Sequence, residues 1–122
     1  MGERLVKVFI TLAAAMLAGL PVPAGAEEKA GAAADVEAYV QRVSELAVDP
    51  AYGDYLSSPC TSCHGANAAG GIPAIQGQPA EAIIAALYEY KSEVRENAVM
   101  RSVASALSDE DVAALAAHFS QQ

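Results

Sequence analysis

The sequence is poor in basic residues, with seven lysines and arginines against fifteen acidic residues in a chain of 122. Its formal net charge is −8 with both histidines neutral. Nucleic acids and anionic membrane surfaces attract proteins through basic faces, so this balance argues against either as a partner. A simpler role of the charge is to keep a small protein soluble.

The sequence also lacks an apolar run long enough for a transmembrane anchor, which needs about 20 residues. Residues 8–20 form a run of only 13, preceded by Arg4 and Lys7 and followed by two prolines and the small-residue segment 24–26. This order is typical of a signal peptide, so we expect cleavage after Ala26 and export. No cysteine lies near the cleavage site, so a lipid anchor is not indicated.

Cleavage would remove Glu3, Arg4 and Lys7 and leave five basic and fourteen acidic residues, a net charge of −9. The remaining residues are enough for one domain, and a domain of this size often needs a cofactor or cross-link to complete its core. We therefore predict a signal peptide at 1–26, an acidic tail with an extra N-terminal helix at 27–48, and the main domain at 49–122.

No segment alternates apolar and polar residues with the period of a β-strand, and no sequence repeat is present. Apolar residues instead recur at helical spacing, which predicts an all-α fold. We expect residues 27–34 to form a mobile tail and Asp35 to cap a first helix. Asp49 and Pro50 have the order of an N-cap and first helical residue of a second helix, which Pro59 should break or kink.

Three further helices are predicted beyond the glycine-rich loop at 65–77. Pro79 begins the first of them, and its apolar stripe consists of Ile83, Ile84, Leu87, Tyr88 and Val94. A helix after Asn97 has the apolar positions Met100, Val103, Ala104 and Leu107. Ser108 and Asp111 resemble a capping box for the last helix. Its buried face is predicted to consist of Val112, Leu115, Ala116 and Phe119.

Both cysteines of the chain lie in the segment Cys60-Thr61-Ser62-Cys63-His64. A redox disulfide of the thioredoxin type needs a strand before the cysteines, and none is predicted. A zinc site would need Cys60, Cys63, His64 and His118 together, whereas the adjacent side chains 63 and 64 diverge on a helical turn. The third interpretation is covalent attachment of haem c, for which Cys-x-x-Cys-His is the signal.

The haem interpretation uses every residue of the segment. On a helical turn Cys60 and Cys63 face the same way, as two thioether bonds to one porphyrin require, and His64 can then reach the iron. Export agrees with it, because bacteria attach haem c in the periplasm. Met100 is the only methionine left after cleavage, and a Met/His pair is typical of electron-transfer haems. Core packing is the alternative role of Met100, and His118 is the rival ligand.

From Asp49 to its end the chain resembles the class I c-type cytochromes, in particular their short c4/c553-like branch. The matching segments are DPAYGDYL, CTSCHG, GIPAIQGQP, ALYEYKS, NAVM and LSDEDVAALAAHF. Within that branch, IPAIQGQP together with NAVMRSVASALSDED resembles most the cytochrome subunit of flavocytochrome c sulfide dehydrogenases. The resemblance implies the class I cytochrome c fold, with about four to five helices around one covalent haem c.

The resemblance also implies roles for individual residues. Cys60 and Cys63 would form the thioether bonds, and His64 and Met100 would be the axial iron ligands. The carbonyl of Pro73 would accept a hydrogen bond from the His64 imidazole, a contact that orients the ligand. A close helix crossing near Phe119 is expected at Gly53.

Two residues depart from the family pattern. Pro59 directly before Cys60 is unusual and should alter the entry to the haem turn. Glu93 stands where the family commonly has glycine after YKS, so we expect that the third helix could run on and that the loop to Met100 could differ.

The function expected from these residues is one-electron transport without catalysis, with redox partner proteins such as an oxidase. The alternative is a haem subunit that accepts electrons from a flavoprotein oxidising sulfide. The sulfur chemistry would then belong to the partner, because this chain has no flavin-binding glycine motif. A weaker third possibility is a haem enzyme or gas sensor with an open iron position. Tyr39, Val40 and Val43 of the first helix are candidates for a partner interface.

Overall fold

The structure, a computed structural model, describes residue 21 and residues 23–122. Most of the predicted signal peptide therefore lies outside the described residues. Within them the chain forms five helices and no strand, which confirms the all-α prediction. The helices are α1 (Ala24–Ser44), α2 (Pro50–His64), α3 (Ala80–Lys91), α4 (Ala98–Ser105) and α5 (Asp109–Ser120). None of these helices is both long enough and apolar enough to cross a membrane.

The last helix, α5, is the centre of the fold and packs against α1, α2 and α3. Six of its residues are at most 6% exposed: Val112, Ala113, Ala114, Leu115, Ala116 and Phe119. The predicted capping box is present, since the Ser108 hydroxyl accepts from the Asp111 amide at 3.1 Å and Asp111 Oδ2 accepts from the Ser108 amide at 2.9 Å. Three of these six residues are alanines, whose small side chains leave room for neighbouring helices to approach closely.

The closest approach is the crossing of α2 over α5 at Gly53. A Cβ atom on Gly53 would lie 2.5 Å from the Ala114 carbonyl oxygen and 2.9 Å from the Cβ of His118. Both distances are shorter than non-bonded contacts allow, so only glycine fits. The crossing predicted near Phe119 thus exists and is made by Ala114 and His118. Upstream, the Asp49 carboxylate caps α2 by accepting from the Ala51 amide at 2.9 Å.

Pro59 does not end α2, which continues without interruption to His64. The expectation of a break is therefore wrong. Proline removes one backbone donor, but α2 is already held on α5 by the buried residues Gly53 and Ser57. Packing of a helix outweighs local propensity, so the chain stays helical through the proline.

The first helix begins earlier than predicted and includes the segment expected to be a mobile tail. Residues 24–34 are rich in alanine, the strongest helix former, which explains the extension. Tyr39 and Val43 of α1 are 5% and 0% exposed, because they pack into the core beside α3 and α5. The expectation that they contribute to a partner interface is therefore wrong, and only Val40 of that group remains partly accessible.

Tyr39 connects α1 to two other helices. Its ring stacks on Tyr88 of α3 with centroids 4.3 Å apart, and its hydroxyl donates to Asp109 at the start of α5 at 2.9 Å. Burial, followed by the hydrogen bond to Asp109, raises the pKa of the Tyr39 hydroxyl far above its usual range. Arg42 lies over the same ring and pairs with Asp109 at 3.3 Å.

Helix α3 ends at Lys91, so the expectation that it runs on through Glu93 is wrong. Glu93 has a φ of 62°, the left-handed conformation that favours glycine, and its amide donates to the Tyr90 carbonyl at 3.2 Å. This conformation costs a non-glycine residue on the order of 1 to 2 kcal/mol. The chain therefore turns at Glu93, although glutamate does not favour this backbone conformation. Val94, predicted in the apolar stripe of α3, lies beyond the helix and is 56% exposed.

The substitution Gly53→Ala should lower the free energy of unfolding by about 1 to 3 kcal/mol, because the new methyl group forces α2 away from α5. Chemical denaturation of the full chain measures the change. Gly31→Ala is the matched control, since nothing lies within 4 Å of the added Cβ in α1. The control should be neutral or slightly stabilising, by up to about 1 kcal/mol. Equal stability of the two variants would contradict the close crossing.

Candidate functional site

The Cys-x-x-Cys-His segment forms the last turn of α2. Cys60 is half-buried, Cys63 is exposed, and both are free thiols. Burial raises the pKa of the Cys60 thiol, with a smaller contribution from Cys63. The raised pKa favours the neutral form of the Cys60 thiol further. The turn therefore offers one inner and one outer sulfur.

A cleft of about 300 Å³ opens beside this turn, a size typical of small-molecule and cofactor sites. Among the predicted site residues, Cys60, His64, Pro73 and Met100 line it, whereas Cys63 does not. Its walls are mostly apolar and include Ile75, Ile83, Leu87, Val103, Leu115 and Phe119. Residues from α2 to α5 and from the 73–78 loop thus enclose one hydrophobic space.

His64 is held in one orientation by the loop that follows α2. Its Nδ1 lies 2.7 Å from the Pro73 carbonyl oxygen, the contact that the sequence resemblance implied. A carbonyl can only accept a hydrogen bond, so Nδ1 donates it and Nε2 is left without this partner. A neutral imidazole with a free Nε2 is the form in which histidine binds metals.

A second contact joins the same loop to His64. The side-chain amide of Gln76 donates to the His64 carbonyl oxygen at 3.0 Å. Sequence reasoning missed Gln76, because no motif marks a loop glutamine whose partner lies twelve residues earlier. Together, Pro73 and Gln76 fix both the ring and the backbone of His64.

Met100 lies in the first turn of α4, where the Asn97 side chain accepts from the Met100 amide at 3.0 Å. This cap fixes where the methionine enters the cleft. The rival residue His118 does not line the cleft. It packs beside Gly53 and lies 2.5 Å from the side chain of Gln122, measured between the two Nε2 atoms.

The zinc alternative finds no support in this arrangement. Across residues 21 and 23–122, no three histidine, cysteine or acidic side chains come together in a cluster able to hold a metal ion. Cys60, Cys63 and His64 therefore have no fourth zinc ligand in His118. The thiols, one imidazole nitrogen, one thioether sulfur and apolar walls do suit an iron porphyrin, whose ring needs hydrophobic contact and whose iron takes His and Met ligands.

Two further residues line the cleft that sequence reasoning did not single out, Tyr90 and Arg95. The Arg95 guanidinium lies over the Tyr90 ring at 5.3 Å, and its Nε lies 3.6 Å from a carboxylate oxygen of Glu89. Within the described part of the chain, Arg95 is the one lysine or arginine that lines the cleft. Sequence reasoning did not find Tyr90 and Arg95, because the alternating aromatic and charged residues at the end of α3 do not indicate which of them face the cleft.

Comparison with known proteins agrees with this site. The family model for cytochrome c matches residues 51–122, which is more than half of the chain and covers α2 to α5. A curated relative, cytochrome c-553 of Desulfomicrobium norvegicum, is 39% identical over 64 residues, which cover 48% of this chain and 80% of the relative. The chain therefore belongs to the cytochrome c family, as a class I c-type cytochrome of the c553-like kind whose cofactor is covalently bound haem c.

Proposed function

We propose that this protein is a periplasmic monohaem carrier that passes single electrons between redox partner proteins. In this proposal Cys60 and Cys63 hold the haem, and His64 and Met100 are the axial ligands of its iron. One observation carries the proposal: His64 and Met100 line the same apolar cleft, and the His64 ring is oriented by the Pro73 carbonyl at 2.7 Å.

The bound haem supplies an iron that changes its oxidation state by one electron. The protein's own residues keep that site unchanged in shape. Pro73 and Gln76 hold His64 on one side, and the Asn97 cap holds Met100 on the other. The apolar walls exclude water, and the Met/His pair favours the reduced iron. If His64 and Met100 both bind the iron, no position would remain for a substrate or gas, and the protein would be a carrier rather than a haem enzyme or sensor.

The two sulfurs differ in exposure, and this difference supports exchange of electrons at the surface. Cys60 lines the cleft, whereas Cys63 is exposed and lies outside it. The haem edge bound to Cys63 would therefore be accessible to a partner protein. Electron transfer needs only such an edge, because no atom has to enter the protein.

The alternative is the haem subunit of a flavocytochrome c sulfide dehydrogenase. It rests on the segments IPAIQGQP and NAVMRSVASALSDED alone. The helix expected to contribute its permanent interface uses Tyr39 and Val43 inside its own core. A permanent interface would therefore have to use another surface, so we favour the free carrier.

The exported protein should be red and should keep one haem under denaturing conditions, because both thioether bonds are covalent. Expression in a host that matures haem c, followed by denaturing mass spectrometry, measures this. Cys60→Ala and Cys63→Ala should each leave a single thioether bond, which shifts the absorption bands of the reduced protein. A colourless product at the mass of the bare chain, or bound zinc, would refute the haem site. The same mass spectrum tests cleavage after Ala26.

Met100→Ala should lower the reduction potential, because a thioether ligand favours ferrous iron and its loss removes that preference. It should also abolish the weak absorption at the red end of the visible spectrum that iron–thioether bonding gives in the oxidised state. His118→Ala is the control, since His118 lies outside the cleft, and should leave both properties unchanged. A normal spectrum for Met100→Ala together with an altered one for His118→Ala would reverse the assignment.

Co-expression with any flavoprotein encoded by a neighbouring gene should yield no stable complex if the protein is a free carrier. Gel filtration and the rate of sulfide-dependent haem reduction measure this, with an unrelated cytochrome c as the reference. A carrier with a net charge of −9 should also meet a basic partner, and raised salt should slow that association. A co-eluting complex whose haem is rapidly reduced by sulfide would establish the subunit instead.

A further inference from the structure

We propose that Arg95 binds the carboxylate edge of the haem, and that its charge, opposed by that of Glu89, sets the reduction potential. The inference rests on the haem site proposed above and concerns a different part of it. Haem carries two propionate carboxylates on the half of the ring opposite its vinyl groups. If Cys60 and Cys63 hold the vinyl side of the haem, its carboxylates would lie away from the Cys-x-x-Cys turn.

A carboxylate in an apolar cleft needs a cationic partner, because an unpaired buried charge is costly. The chain has few candidates, since residues 27–122 contain five basic residues. Four of them do not line the cleft: Lys29, Arg42, Lys91 and Arg101. Arg42 pairs with Asp109, Arg101 pairs with Glu93, and the Lys91 ammonium donates to the Leu107 carbonyl. Arg95 is the one cation placed to serve the haem.

Arg95 is held at the cleft through its backbone and its side chain. Its amide donates to the Glu89 carbonyl at 3.0 Å, which closes the end of α3, and its guanidinium lies over the Tyr90 ring at 5.3 Å. Tyr90 also lines the cleft. The position of the guanidinium therefore does not depend on a bound anion.

The existing ion pair leaves Arg95 able to bind a second carboxylate. Its Nε lies 3.6 Å from Glu89, longer than the roughly 2.7–2.9 Å of a charge-assisted hydrogen bond. This pair occupies Nε, and the terminal nitrogens carry the remaining donors in the fork geometry that matches a carboxylate. The side chain is 51% exposed, so the pair with Glu89 is weak and does not consume its charge.

The two charges act on the iron with opposite sign. Reduction adds one electron from a donor protein to ferric haem and makes the site more negative. The positive charge of Arg95 stabilises that added charge, and the negative charge of Glu89 disfavours it. If the ion pair had only a structural role, removing either partner would break the same contact. Both variants would then shift the reduction potential in the same direction.

The test measures the reduction potential of the haem-loaded protein by spectroelectrochemical titration. Arg95→Gln should lower the potential and Glu89→Gln should raise it. Each should change the ratio of reduced to oxidised protein at a fixed applied potential by roughly two- to tenfold. Arg95→Lys should restore most of the wild-type ratio, since it keeps the charge. Arg42→Gln is the control, because it removes an arginine whose partner Asp109 lies outside the cleft, and should change nothing.

The outcomes separate this inference from the proposed function. A wild-type protein without haem would remove the basis of both. Haem with a normal Met/His spectrum, but with the two glutamine variants unshifted or shifted in the same direction, would overturn the role of Arg95 alone. Failure of Arg95→Lys to recover the potential would likewise overturn it. If Arg95→Gln does not retain haem, the Glu89→Gln and Arg95→Lys measurements decide.

Discussion

The crossing of α2 over α5 at Gly53 is the contact on which the rest of the structure depends. Because no side chain fits between Gly53 and the Ala114 carbonyl, the two backbones meet at one spacing. That spacing places the last turn of α2, with Cys60 and His64, along the edge of α5 where Leu115 and Phe119 form a wall of the cleft. Helix α3 packs on α5, and α4 packs on α3. The position of Met100 in α4 therefore also depends on α5.

Features determined by short-range chemistry could be predicted from the sequence. The Ser108–Asp111 capping box and the Asp49 cap each depend on residues at most three positions apart, and both are present. The Cys-x-x-Cys-His turn is similarly local. The position of Met100 in the same cleft as His64 did not follow from local spacing, because a lone methionine at helical spacing is also compatible with core packing.

Features determined by tertiary contact could not be predicted from the local residue pattern alone, and the Gly53 crossing and the Pro73 contact were expected only through the family resemblance. The apolar face of α1 was visible in the sequence, but amphipathicity does not say whether the chain itself or a partner covers that face. In the structure, α3 and α5 cover this face and bury Tyr39 and Val43. Arg95 and Gln76 have no local signature, since their roles come from neighbours brought close by folding. The conformation of Glu93 has no local signature either, because the turn after α3 imposes a left-handed conformation that glutamate does not favour.

The separate attachment of α2 and α4 would give a His64- and Met100-bound iron a second role. Within the described residues, α2 packs on α5 and α4 packs on α3, and the two do not pack closely on each other. Ligation by His64 and Met100 would therefore act as a cross-link that closes a loop of 36 residues. By the chain-entropy relation for cross-links, such a closure contributes about 4 kcal/mol to the folded state. Since thioether sulfur prefers ferrous iron, the loop would be closed more tightly after an electron arrives. Folding stability and reduction potential would then be thermodynamically linked, and each electron delivered would also stabilise the fold.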